Sequence, residues 1–310
     1  MELIRGPHNL RPRHRGCVAT IGNFDGVHLG HQAVLGQLAE AAGRLDLPTV
    51  VITFEPQPQE YFGGAADAPR LTRLREKLQA LRRYSVDRVL CLPFNARLAQ
   101  LSAREFIQQL LVDGLDVRYL VVGDDFRFGY RREGDFAMLK QAGAEHGFQV
   151  VAMHSFTVDG ERVSSTRIRE ALAKGAMGTA EKLLGRGYRM SGRVARGDGR
   201  GRQMGFPTAN IHLHRRATPV RGVFAVELFG VPDEPVAGVA NVGIRPTVDG
   251  TRSLLEVHLF DFDSDIYGCY VEVVFLHKLR DEVRFASLDA LIQQIGLDAA
   301  AARDYFVQRS

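Results

Sequence analysis

The chain has 310 residues, 45% hydrophobic and 25% charged, with a formal net charge of +4. At roughly 100–200 residues per domain it supports two cores, and its composition excludes a disordered, collagenous or coiled-coil chain. Cys17, Cys91 and Cys269 stand singly, no apolar run is long enough to span a bilayer, and no signal-peptide core follows Met1. These features exclude a disulfide framework and a Cys-x-x-Cys metal clip, and they point to a cytoplasmic protein.

In chain order, residues 17–21 read as a short buried strand and 32–42 as an amphipathic helix. A second strand-like run, 49–54, ends in the Pro-rich turn Glu55-Pro56-Gln57-Pro58. Residues 63–68 are Gly/Ala-rich and read as a mobile flap. A helix over 71–83, a strand over 88–92 and a helix over 103–111 follow, with Ser102 as a plausible cap. Strands over 119–122 and 150–153 precede a helix over 167–174 that Gly175 closes. Alternating strands and helices predict an α/β domain with a parallel sheet, here Rossmann-like.

After residues 185–187 the texture changes. Short Val- and Phe-rich runs at 223–229, 236–242, 254–260 and 270–275 are punctuated by glycine. This spacing predicts an antiparallel barrel or sandwich, closed by helices over 288–295 and 299–306. The domain boundary is placed near Arg186, giving domains 1–186 and 187–310.

Between the first strand and helix lies Gly22-Asn23-Phe24-Asp25-Gly26-Val27-His28-Leu29-Gly30-His31. His28 and His31 are three apart, so on a helix their rings share a face. A helix N-terminus offers backbone N–H groups and a positive dipole end to a phosphate. Gly22 and Gly30 permit close backbone approach. An isolated His-x-x-His is more often a surface pair or part of a metal site, and zinc would want a third ligand. The glycine-rich lead-in tips the reading toward nucleotidyl transfer.

Other segments carry weaker signals. Asp124 and Asp125 follow a strand, where parallel sheets place ligands; they can hold Mg²⁺, orient a hydroxyl or simply cap a turn. Phe126 and Phe128 can stack on a flat ring, though core packing is the commoner use. Ser164-Ser165-Thr166-Arg167-Ile168-Arg169 offers hydroxyl and N–H donors at a helix start, with guanidinium charge suited to a departing pyrophosphate. In the second half, Gly197, Gly199, Gly201 and Gly205 make a glycine-rich stretch before Pro207-Thr208-Ala209-Asn210. It matches neither the P-loop nor the dinucleotide fingerprint. Asn241 to Thr247 and a strand bearing Glu256 follow.

These segments, in their order and spacing, resemble the bacterial bifunctional riboflavin kinase/FMN adenylyltransferase (FAD synthetase) family, and the likeness covers nearly the whole chain. Gln57 departs from members that carry His there. The resemblance implies that the first domain transfers AMP from ATP to FMN, giving FAD and pyrophosphate. It assigns His28 and His31 to the ATP phosphates, and Ser165, Thr166 and Arg169 to the pyrophosphate. Asn23 and Asp125 are expected to position the flavin or a metal, and Phe126 and Phe128 to lie at the flavin. In the second domain the resemblance implies riboflavin phosphorylation. Thr208 and Asn210 would hold Mg²⁺ with ATP, Gly199, Gly201 and Gly205 would approach phosphate, Glu256 would be the base, and Arg245 would brace the flavin-side loops.

The expected partners are therefore riboflavin, FMN, FAD and ATP, with Mg²⁺ as cofactor and no membrane. The chain is basic, but only five of its 40 basic residues are lysine, and they form no dense tract. No stable nucleic-acid partner is expected, and weak self-association is left open. The competing reading is an adenylyltransferase whose barrel only senses flavin or binds RNA.

Overall fold

The computed structural model describes residues 1–63, 69–197, 200–215, 217–231, 234–247 and 250–309. Most of the expected 63–68 flap, and Gly199, lie outside the described residues. The side chains of Arg200, Gln203 and residues 244–252 are likewise outside them. The chain divides into two compact units, Met1–Asp67 with Thr72–Ser164, and Ala68–Leu71 with Ser165–Ser310.

The first unit contains, in order, β1 (Glu2–Arg5), β2 (Cys17–Ile21), α1 (Leu29–Leu45), β3 (Thr49–Glu55), α2 (Pro58–Gly63) and α3 (Leu74–Arg82). Then come β4 (Arg88–Pro93), α4 (Ala96–Ala99), α5 (Ala103–Phe106), β5 (Val117–Gly123), α6 (Phe136–His146) and β6 (Gln149–Met153). The hairpin β7 (Thr157–Val158) and β8 (Glu161–Arg162) follows. Six strands form one parallel sheet in the order β1-β4-β3-β2-β5-β6. Period-two alternation sorts the side chains onto two faces. Cys17, Ala19, Val50, Ile52, Leu90 and Leu92 meet Phe106, Leu110 and Leu139 on one side. Val18, Val51, Val89 and Val121 meet Leu35 and Leu38 of α1 and Leu81 of α3 on the other. Both faces are covered, which explains why β2 to β5 read as continuous apolar runs.

Ser102 does cap α5: its side chain accepts the Glu105 N–H and the Glu105 carboxylate accepts the Ser102 N–H. The helix expected over 103–111 changes to π-type geometry at Ile107–Val112. In the first unit the sequence reading missed β1, α2, α4, α6 and the β7–β8 hairpin.

The second unit continues with α7 (Ser165–Ala173), α8 (Met177–Leu184), β9 (Tyr188–Ala195), α9 (Arg200–Gln203), β10 (Ala209–His212), β11 (Gly222–Phe229), β12 (Val236–Thr247), β13 (Gly250–Leu259), β14 (Tyr270–Arg280) and α10 (Leu288–Arg309). Six antiparallel strands close a barrel in the order β10-β13-β12-β11-β14-β9. Closure decides between the barrel and sandwich that the sequence left open, and it removes exposed sheet edges.

The compact units divide before α7, because α7 packs on α8 and α8 packs on β9 and β14. The two expected closing helices are one. α10 runs unbroken through Gly296, since Asp298 is held on both sides by Arg280 and by Gln294 one turn earlier.

Candidate active sites

β2 and β5 are neighbours in the middle of the parallel sheet, and the chain leaves them toward opposite edges. Ligands bind beyond the carboxyl ends of strands at such a switch point. The Gly22–His31 turn follows β2, and Asp124 and Asp125 follow β5.

His28 is the N-cap of α1, and its Nδ1 accepts the His31 backbone N–H at 3.3 Å. An amide N–H only donates, so Nδ1 carries no proton and Nε2 bears the hydrogen of the neutral ring. The His28 and His31 rings stack with centroids 3.6 Å apart, and the Phe24 ring lies 4.8 Å from His31. A Cβ at Gly30 would lie 3.2 Å from His28 ring atoms and 3.7 Å from the Val163 carbonyl. Glycine therefore spares the His28 ring, while the Val163 carbonyl would be at ordinary contact distance. At Gly22 the crowding comes from Phe24, whose ring would meet a Cβ at 3.1 Å.

Asn23 is half-buried, and its carbonyl accepts the Thr53 hydroxyl at 3.3 Å. Asp125 is exposed and paired with Arg162 at 2.6 Å, while Asp124 faces His154 at 3.7 Å. Among the described residues no group of three or more His, Cys, Asp or Glu could hold a metal. Asp125 is held in an ion pair with Arg162. Phe128 is buried against Phe106, and half-buried Phe126 stacks on it at 5.6 Å.

Sequence reading missed a second aromatic group. Tyr61 and Phe62 of α2 and Phe54 at the end of β3 all pack on Phe94, at 5.4, 5.6 and 5.8 Å. Phe62 is 69% exposed, so this platform faces solvent. The signal was the recurrence of aromatics on both sides of the Pro-rich turn. Buried Gln57 lies in that turn, and its Nε2 finds no partner within the described residues.

Ser165 opens α7, exposed Thr166 follows, and the Arg169 Nε donates to the Pro69 carbonyl at 2.8 Å. All belong to the second unit.

Around the barrel, antiparallel register sets one row of cross-strand neighbours: Asn210, Glu256, Asn241, Val223 and Arg280. All five line a cavity of about 450 Å³ whose far wall is α10, through Leu291, Ile295 and Asp298. On β13 the even residues Leu254, Glu256 and His258 line this cavity, while Leu255 and Val257 are buried. A second cavity, about 690 Å³, is lined by Arg196, Arg202, Asp263 and Tyr267. Thr208 and Asn210 line both. His258 donates from Nδ1 to the Pro207 carbonyl at 2.9 Å and so holds the Pro207–Asn210 segment, a role the sequence did not signal.

Gly201 admits the Phe206 carbonyl and the Thr208 hydroxyl, which a Cβ would meet at 2.5 and 3.0 Å. Gly205 adopts φ +83°, a conformation open to glycine. Arg245 lies in β12, with its side chain outside the described residues. At the end of the row, the Arg280 guanidinium forms a two-pronged bond to Asp298 at 2.8 and 2.6 Å, and Gln294 donates to the same carboxylate at 2.9 Å.

Two family models match the chain, FAD synthetase over residues 10–167 and riboflavin kinase over residues 184–306. The bifunctional riboflavin kinase/FMN adenylyltransferase of Escherichia coli is 52% identical over 307 residues, covering 99% of this chain and 98% of its own. The protein of that name from Pseudomonas fluorescens is 53% identical over 304 residues, covering 98% and 97%. A crystal structure described as a macrolide-efflux protein from Streptococcus pneumoniae superimposes with a TM-score of 0.83 at 31% identity, covering 98% of this chain and 99% of that one. Efflux belongs to the description of that protein. Among the described residues here, no helix is long and apolar enough to cross a membrane.

Proposed function

We infer how two reactions are shared over one polypeptide from the premise that this chain belongs to the bifunctional riboflavin kinase/FMN adenylyltransferase family. It phosphorylates riboflavin to FMN with ATP, then adenylylates FMN to FAD with release of pyrophosphate. The kinase reaction belongs to residues 187–310 and the adenylyl transfer to residues 1–186. One observation carries the division: the barrel cavity holds a carboxylate, Glu256, between Asn210 and Asn241, whereas the histidine turn faces its buried carboxylate, Asp25, toward Thr72.

The chemistry accounts for that difference. Riboflavin offers an alcohol, a poor nucleophile until a base takes its proton. With flavin in the 450 Å³ cavity, Glu256 accepts the 5′-hydroxyl proton as the oxygen bonds to the γ-phosphorus and ADP departs. ATP occupies the larger cavity, and the two substrates meet at Thr208 and Asn210, which line both. The neutral oxygens of Thr208 and Asn210 are hard donors suited to Mg²⁺, with the nucleotide supplying the negative charge. Bound there, Mg²⁺ would neutralise charge on the transferring phosphoryl group. Gly199, Gly201 and Gly205 are assigned to the phosphate side, and Arg245 to the flavin-side loops on the motif alone. A barrel that only binds flavin would have no use for this arrangement.

FMN is already an anion when it attacks the α-phosphorus of ATP, so its site works by position and charge. The His28 Nε2–H and His31 hold the ATP phosphates at the α1 N-terminus, with Gly22 and Gly30 shaping the turn. The pyrophosphate role of Ser165, Thr166 and Arg169 rests on the motif. For the flavin ring we favour Phe126 and the Tyr61–Phe62–Phe94 platform, with Asn23 and Asp125 as polar contacts; Phe128 supports Phe126 from the core. The protein acts in the cytoplasm without a nucleic-acid or membrane partner.

Chromatographic separation of flavins after incubation with riboflavin, ATP and Mg²⁺ tests the reading. FMN appears first and FAD second, and chelation of the metal stops FMN formation. Absence of both products from the wild-type chain sinks it.

A further inference from the structure

The turn that carries the histidines is bent into conformations its residues disfavour. Phe24, Gly26 and Val27 have φ of +48°, +84° and +43°. A β-branched residue such as Val27 at positive φ is a genuine outlier, and such residues persist only where the surroundings over-determine them. Phe24, Asp25 and Val27 are buried, Val27 completely. The stacked His28 and His31 rings begin one residue later.

What over-determines the turn comes from a segment 46 residues away, just before α3. The Thr72 hydroxyl accepts the Gly26 N–H at 2.9 Å and donates to Asp25 Oδ1 at 3.1 Å. The Thr72 backbone N–H donates to the same Asp25 oxygen at 2.9 Å. One hydroxyl thus bonds two consecutive residues of the turn, as acceptor from one and donor to the other. Thr72 is itself buried and belongs to the same compact unit as the turn.

A second link runs parallel to the first. Lys77, fully buried on α3, donates to the Thr53 hydroxyl at 3.3 Å, and that hydroxyl donates to the Asn23 carbonyl at 3.3 Å. The start of α3 therefore holds the turn at Asn23, Asp25 and Gly26. Removing the Thr72 hydroxyl takes away its bonds to the Gly26 N–H and to Asp25, next to a β-branched residue held at positive φ.

We propose that Thr72 is a positioning residue for adenylyl transfer: through Asp25 and Gly26 it locks the strained turn that presents His28 and His31 to ATP. The proposal rests on the assignment of FAD formation to the histidine turn. Thr72 acts through the turn and does not touch the reacting atoms. Misplacement of about 1 Å by a residue remote from the chemistry costs on the order of a hundredfold in rate.

The test compares Thr72→Val, which keeps shape and loses the hydroxyl, with Thr72→Ser, which keeps the hydroxyl. FMN adenylylation, riboflavin phosphorylation and thermal unfolding are measured on the same preparations of the full chain. Thr72→Val is expected to lower kcat for FAD formation by about tenfold to a hundredfold, with riboflavin phosphorylation and KM for FMN unchanged. Thr72→Ser is expected to restore kcat to within about threefold, a rescue that bulk destabilisation does not produce. Thr72→Ala gives the same reading if the valine variant does not fold. An unchanged kcat in Thr72→Val, or equal loss in the valine and serine variants, overturns the proposal. If the wild type itself makes FMN but no FAD, the assignment of the histidine turn fails instead.

Discussion

The two halves of this chain handle phosphorus with different equipment, and the nucleophile explains why. On the proposed reading the attacking group at the histidine turn is an anionic phosphate oxygen, and the structure supplies stacked imidazoles on a helix N-terminus, with the nearby Asp25 carboxylate buried against Thr72. In the barrel the attacking group is an alcohol, and the structure supplies Glu256 between two asparagines. One site is a conformational device held by strain and buried hydrogen bonds. The other is a regular ladder whose register alone aligns its groups. With Glu256 proposed as the base, proton transfer is the dividing line between the two sites.

The sharpest way to break this comparison is to remove each group and assay both reactions. Glu256→Gln keeps the shape but cannot take a proton, so riboflavin phosphorylation should fall about 10²–10⁴-fold while FMN is still converted to FAD. His28→Ala should cost adenylyl transfer about 10²–10³-fold, with FMN accumulating from riboflavin. Flavin chromatography of both variants reads both effects. Equal losses of both activities in either variant would mean that the two sites are not chemically separate.

A smaller effect is expected where the barrel row ends. Asp298→Ala leaves the Arg280 guanidinium without its two-pronged partner in a largely buried setting. Breaking such a pair costs about 3 kcal/mol, which urea unfolding of the second unit would register. Because Asp298 and Arg280 line the cavity proposed for flavin, KM for riboflavin should rise, while KM for FMN in adenylylation should not. A shift in the latter would count against two separate flavin sites.

The smallest effect concerns Cys17, at the heart of the parallel sheet. Burial pushes its thiol from an ordinary value of 9.0 up to about 12. Between those two pH values the unfolded chain has lost the thiol proton and the folded chain keeps it, so stability falls as pH rises through this window. Cys17→Ser should flatten that slope in pH-dependent unfolding. In the native protein at neutral pH, Cys17 should resist alkylation while half-exposed Cys269 reacts.

Local sequence was sufficient for the elements that depend on local rules. The parallel α/β character of the first half was readable because strands buried on both faces are continuous apolar runs bounded by turns. The Ser102 cap was readable because a capping box needs only residues three apart. The histidine turn was readable as a strand-to-helix junction, though His28 caps α1 from outside the helix and its ring stacks on His31 from there. The packing of α8 on β9 and β14 was not, because it is a long-range contact that no local signal announces. Gly296 misled for a related reason: glycine weakens a helix locally, but the Arg280–Asp298 bond holds α10 from another element.

By itself, then, the sequence determined which chemistry-bearing residues exist, their spacing on single elements, and the resemblance that two family models bear out. Only the tertiary structure decided which of them meet. Glu256 lies 46 residues beyond Asn210 and 24 short of Arg280, and closure of the barrel puts all three in one row. Thr72 reaches Asp25 across a strand crossover, and Phe94 gathers Tyr61 and Phe62. Such contacts depend on strand register and helix packing. Those are set by the burial of whole faces and not by any residue's near neighbours.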